Sequence, residues 1–128
     1  MHLSSAFLLK YHHRPDTKGF LDAEAFDVLS SRRTFISNIA RGAIVNQKDL
    51  IDALKAGKLR GAALDVTDPE PLPADSELWD MKNVFLSPHI SGISKAYTER
   101  SFQILDLNLT KREKGEKMVN VVDRKRGY

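Results

Sequence analysis

A chain of 128 residues, 41% hydrophobic and 29% charged, has the composition of an ordinary globular protein and the length of one domain at most. It contains no cysteine, which excludes a disulfide framework, a thiolate nucleophile and a cysteine-based zinc site. The formal charge is +3, and the basic excess gathers late, at Lys111, Arg112, Lys114, Lys117, Arg124, Lys125 and Arg126. Glu113, Glu116 and Asp123 interleave and no aromatic platform accompanies them, so a solvated helix end is expected and no nucleic-acid partner. No apolar run approaches the roughly 18 residues that span a bilayer, and MHLSSAFLLK is unlike a secretory signal. A cytoplasmic location without a membrane partner is the expectation.

In chain order, residues 6–9 (AFLL) read as a short buried strand, and Arg14 to Gly19 is turn chemistry. His12 and His13 are adjacent and cannot share a face, so they read as loop residues and not as metal ligands. Asp22 is an N-cap for a short helix ending near Leu29, with Phe26 and Leu29 inward. Residues 34–38 form a strand. Asn46 caps a second helix with Leu50, Ile51 and Leu54 as its apolar stripe and Gly57 as its stop. Residues 61–66 (GAALDV) form the next strand, whose small side chains suit close helix packing.

Strand, helix and strand within about thirty residues predict a βαβ unit with parallel strands and a right-handed crossover. Residues 67–82 carry Pro69, Pro71 and Pro73 and exclude a regular element, with Leu78 and Trp79 expected to anchor the loop in the core. Residues 83–87 read as a further strand. Ser94 caps a long helix ending near Gly115, with Phe102, Leu105 and Leu109 on one face, and Met118 to Val122 is an apolar tail.

This pattern delivers Arg41, Glu70 and His89 to one sheet edge, the edge where ligands bind in open α/β folds. Arg41 follows FISNIA and offers a two-pronged donor for a carboxylate. His89, in SPHISG, gives or takes a proton near neutral pH. Glu70, in DVTDPEP, orients the imidazole. Together they equip a site to reduce a 2-oxo acid or oxidise a 2-hydroxy acid, with a cofactor handling the hydride.

The segments ISNIARGAIVNQKDLIDALKAGKLRGAALDVTDPEPLP, ELWDMKNVFLSPHISG and NVVDRKRGY, in this order, resemble the C-terminal part of the cofactor-binding domain of D-isomer-specific 2-hydroxyacid dehydrogenases. The resemblance implies an α/β fold, a partial Rossmann-like doubly wound parallel sheet forming the C-terminal half of the NAD-binding domain. Residues 1–115 belong to that portion, and residues 116–128 form a tail that returns to a substrate domain. It implies NAD or NADP as cofactor, a small 2-hydroxy or 2-oxo acid as substrate, and a homodimer in the full-length form. By the same resemblance Arg41 matches the substrate-carboxylate arginine, Glu70 the histidine's partner and His89 the acid/base. Asp65 matches the aspartate that contacts the nicotinamide amide. Ile39 and Ala40, with Arg41, His89 and Gly92, match positions lining the nicotinamide site. A glutamate at position 70, and not a glutamine, is closer to the hydroxyacid dehydrogenases than to the formate dehydrogenases.

The sequence departs from the family at its start. Its seven glycines, Gly19, Gly42, Gly57, Gly61, Gly92, Gly115 and Gly127, build no G-x-G-x-x-G phosphate turn. The ribose-reading acidic residue and the substrate domain are also missing, and Lys10 to His13 fits the family poorly. The expectation is a C-terminal fragment with little activity alone, in which residues 6–9, interior in the family's 3-2-1-4-5-6-7 sheet, become an edge. The competing reading is a non-catalytic interaction module, or a dead gene fragment, of the same descent.

Overall fold

Four short strands run parallel in the order β1-β2-β3-β4: Ala6–Leu9, Phe35–Asn38, Gly61–Leu64 and Val84–Leu86. They belong to a computed structural model that describes residues 6–9 and 17–124, so the readings of His12, His13 and the Lys10 to Arg14 stretch lie outside the described residues. The chain divides into two compact units, Met1–Ser91 and Gly92–Tyr128.

In the first unit, helix α1 (Ala23–Ser30) joins β1 to β2, and α2 (Gln47–Lys55) joins β2 to β3. The sheet advances in one direction through both crossovers, which places α1 and α2 on the same face, where they pack together. The caps are those expected. Asp22 Oδ1 accepts from Ala25 N–H at 3.1 Å, and Asn46 Oδ1 accepts from Asp49 N–H at 3.3 Å. Asp49 also reaches across, accepting from Ala23 N–H at 3.1 Å, so one carboxylate serves the first turns of both helices. Gly57 ends α2 in the left-handed conformation, φ 68°.

Phe26, Leu9, Ile36, Ile44, Leu50 and Leu78 fill the core between helices and sheet. Truncating Phe26, fully buried, to Ala typically costs about 3–5 kcal/mol. On α2 the buried stripe is Leu50, Ala53 and Leu54, while Ile51 is only partly covered. β1 is only half buried, with Leu9 inside and Leu8 exposed, because among the described residues it pairs with β2 alone.

Several expectations are corrected. Residues 67–82 do contain one short 3₁₀ turn, Glu77–Trp79, capped by Ser76. Leu78 anchors that loop, but Trp79 stays 55% exposed, its indole N–H donating to Pro73 O at 2.8 Å. The loop therefore satisfies its indole locally and spends the ring on the surface. At Gly61 the close neighbours of an added Cβ are Asn83 O at 2.4 Å and the Phe35 ring, so a glycine there lets the chain entering β4 approach.

In the second unit, Ser94 caps α3 (Lys95–Glu113), accepting from Tyr97 N–H at 3.1 Å. The apolar residues Phe102, Leu105 and Leu109 are exposed, and no residue of α3 is buried. The tail after Gly115 is tied back by Asn108, whose amide exchanges two bonds with the Val119 backbone at 2.8 and 3.0 Å.

Candidate active site

β2 and β3 end side by side, with Asn38 registered against Leu64. Asn38 is fully buried, and its amide organises the exit of β2: Oδ1 accepts from Ala40 N–H at 3.1 Å and Nδ2 donates to Arg41 O at 2.9 Å. This lacing turns Ala40 inward and leaves Ile39 41% exposed. Arg41 is exposed and extended (φ −150°), and its Nη1 donates to Ala40 O at 2.7 Å. A guanidinium carries five N–H donors in a fixed fork, so this local bond leaves capacity for a carboxylate.

Gly42 follows without the positive φ that favours glycine, so conformational freedom is not what requires it. The reason is contact: a Cβ there would lie 1.8 Å from Thr67 O. The chain leaving β2 presses on the backbone leaving β3.

Asp65 is the first residue past β3. It is 5% exposed, and its N–H donates to Asn38 O at 3.0 Å. Oδ1 accepts from Ser87 Oγ at 2.6 Å and from Ile90 N–H at 2.9 Å, while Oδ2 accepts from Ser91 N–H at 2.9 Å. Burial opposes the charged carboxylate, but the bonds from Ser87, Ser91 and Ile90 outweigh it and hold the group well below the ordinary carboxylate range.

His89 sits in the turn that Asp65 holds. Its N–H donates to Asp65 O at 2.9 Å and Ser87 O at 3.0 Å, and its φ of 52° is in the left-handed region. Its Nδ1 lies 2.7 Å from Glu70 Oε1, with the two side chains 47% and 41% exposed. A carboxylate only accepts, so Nδ1 carries the proton in this pair and Nε2 is the atom that exchanges protons with a ligand. Asp65, Glu70 and His89 line one open cleft of about 680 Å³, walled by Leu72, Trp79 and Leu86.

The structure thus brings Asp65, Glu70 and His89 together. Ile39, Ala40 and Arg41 stand at the adjoining strand end, outside the lining of that cleft, and Gly92 belongs to the second unit. Sequence reasoning passed over Asn38 and Ser87 as organisers. Their signal was available: each is a polar residue at the end of a strand run, where a buried polar group must find partners. Among the described residues no cluster of histidine and carboxylate groups could hold a metal ion.

A family model described as "D-isomer specific 2-hydroxyacid dehydrogenase, NAD binding domain" matches residues 1–91. Glyoxylate/hydroxypyruvate reductase A of Salmonella newport (strain SL254) is 39% identical over 112 residues, which are 88% of this chain and 35% of the relative. The NADPH-dependent glyoxylate/hydroxypyruvate reductase of Sinorhizobium meliloti, solved with NADP and sulfate, superposes with a TM-score of 0.86 at 30% identity, covering 99% of this chain and 41% of that one. A 2-hydroxyacid dehydrogenase of Xanthobacter autotrophicus Py2, solved with NADPH and MES, gives a TM-score of 0.82 at 33% identity, covering 96% of this chain and 50% of that one. The chain spans about a third of the length of the curated relatives it matches.

Proposed function

We propose that this chain, which belongs to the D-isomer specific 2-hydroxyacid dehydrogenase family, carries the acid–base and nicotinamide-facing part of an NAD- or NADP-dependent site acting on a small 2-hydroxy or 2-oxo acid. The observation that carries the reading is the His89–Glu70 pair, 2.7 Å apart in an open cleft at the carboxyl edge of a parallel sheet. In reduction, His89 Nε2–H gives its proton to the substrate's carbonyl oxygen; in oxidation Nε2 takes the proton from the hydroxyl. Glu70 holds the ring through Nδ1 and balances the charge of the imidazolium. Arg41 grips the substrate carboxylate with its fork and sets the carbonyl carbon in place.

The residues present fit the nicotinamide end of a dinucleotide. Asp65 would offer its carboxylate to a carboxamide N–H, and Ile39 offers an exposed apolar face beside it. Ala40, Arg41 and His89 complete the lining expected from this unit. A bound nicotinamide supplies the hydride in one direction and accepts it in the other. In the full-length protein the proposed setting is a cytoplasmic homodimer in which residues 116–128 return to the substrate domain. No described helix is long and apolar enough to cross a membrane.

The test is a chimera in which these 128 residues replace the matching segment of the Salmonella reductase. It is expected to oxidise NADPH with glyoxylate or hydroxypyruvate, and His89→Ala is expected to lower kcat by about 10²–10⁴-fold, the usual share of general acid–base catalysis. Turnover indifferent to His89 would overturn the assignment.

A further inference from the structure

A histidine at φ 52° is sterically disfavoured, because its Cβ crowds the following backbone, and it persists only where its surroundings insist on it. At His89 the described bonds of the turn centre on Asp65. Asp65 holds the 87–91 turn from both ends: its carbonyl accepts from His89 N–H at 2.9 Å, and its carboxylate accepts from Ser87 Oγ, Ile90 N–H and Ser91 N–H at 2.6, 2.9 and 2.9 Å. Ser87 enters the turn already registered on β3, its N–H donating to Leu64 O at 3.0 Å. Asp65 is in turn pinned to β2 by the bond from its N–H to Asn38 O. The setting of the His89 backbone thus traces back to two strand ends, through one carboxylate and one hydroxyl.

We propose that Ser87 and Asp65 are positioning residues for the histidine: the hydroxyl-to-carboxylate bond closes the 87–91 turn, and that closure seats the His89 ring on Glu70 with Nδ1 as its protonated nitrogen. This rests on the reading of His89 as the acid–base group and adds to it the residues that aim the ring. Ser87 Oγ shares Oδ1 with the Ile90 amide at the shortest distance in the cluster. Without it the carboxylate loses its shortest bond and its tie to the end of β4, and only the two turn amides are left to hold it. The same donors hold the carboxyl ionised against its burial, so the clasp stays closed through the neutral range.

The tautomer of His89 reads this out without any turnover. In the full 128-residue chain with ¹⁵N-labelled histidine, His89→Gln identifies the His89 signals among the four histidines. With the ring neutral, the wild type is expected to show mainly the Nδ1–H form, whereas a free histidine side chain prefers Nε2–H. Ser87→Ala is expected to lower the ratio of Nδ1–H to Nε2–H by about fivefold, the factor one net hydrogen bond is worth, and Ser87→Thr to restore it. A ratio in Ser87→Ala within about twofold of wild type would overturn the proposal. Amide exchange in the wild type decides the matter should Ser87→Ala fail to fold: Ile90 and Ser91 are expected to exchange at least about tenfold more slowly than unprotected amides, and unprotected exchange at both sinks the clasp. Loss of His89-dependent turnover in the chimera, with the tautomer signature intact, counts against the functional reading alone.

Discussion

Two neighbouring strand ends present their functional side chains in opposite ways. At the end of β2 the backbone is laced by buried Asn38, yet the guanidinium it delivers is exposed and bonded to the carbonyl just before it. Past β3 and β4 the backbone is laced by buried Asp65, and the side chain it delivers, His89, is itself seated on a partner carboxylate. The difference follows the chemistry proposed for each. A proton-transferring ring needs its tautomer and direction set by the protein before a ligand arrives. A carboxylate-gripping arginine takes its final geometry from the ligand, so fixing its backbone is enough.

The two ends are joined at Gly42, and breaking that joint has the largest expected effect. Gly42→Ala places a Cβ 1.8 Å from Thr67 O, a backbone atom that cannot swing aside. A loss of about 3 kcal/mol or more is expected, read as a collapse of the thermal transition. A variant melting close to wild type would mean the two ends move independently.

Arg41→Lys sharpens the contrast next. It keeps the charge and removes the fork, so in the chimera kcat/KM for a 2-oxo acid should fall about 10–100-fold, with KM carrying much of the change. The His89 tautomer should stay as it is. A tautomer change on this substitution would show the two ends to be coupled through side chains, contrary to the comparison.

Asp65→Asn replaces one acceptor oxygen by a donor that faces amide N–H groups. Expected destabilisation is about 1–3 kcal/mol, measured by denaturant melts at neutral pH. The sign with pH is definite. The folded-state carboxyl titrates below its ordinary value of 3.8, so its stabilisation is complete above that pH and is lost as pH falls below it. The stability gap between wild type and Asp65→Asn should therefore narrow on acidification below about pH 4. A gap that widens in acid would contradict an ionised Asp65 as the clasp.

Asn38→Ala should have the smallest effect, about 1–2 kcal/mol, because it strands Ala40 N–H at the edge of the core and leaves Arg41 O with the Ile44 amide. Its kinetic trace should appear in KM for the 2-oxo acid, through Arg41. A kcat defect without a KM change would place Asn38 with the other strand end.

Much of the scaffold was legible because its signals are local. Asp22, Asn46 and Ser94 cap the helices at the expected positions, and the strand runs at 34–38, 61–66 and 83–87 contain β2, β3 and β4. Glu70 and His89 were paired correctly, since a parallel sheet brings its carboxyl ends together whatever the loops between them do. Trp79 was misread for a simple reason. Apolar residues announce that they favour burial, but whether a partner surface exists is a property of the assembled chain, and here Trp79, Phe102, Leu105 and Leu109 remain exposed.

By itself, then, the sequence determined the parallel α/β plan and the family, and it singled out Arg41, Glu70 and His89 as the residues proposed to carry the chemistry, all from residue type and short-range order. Only the tertiary structure decided what holds them. That Gly42 is required by the Thr67 backbone, that Asn38 laces one turn and Asp65 the other, and that Ser87 closes the clasp beneath His89 are contacts between different strand ends. A hydrogen bond reaches about 3 Å, and no local pattern states which distant donors will come within that reach.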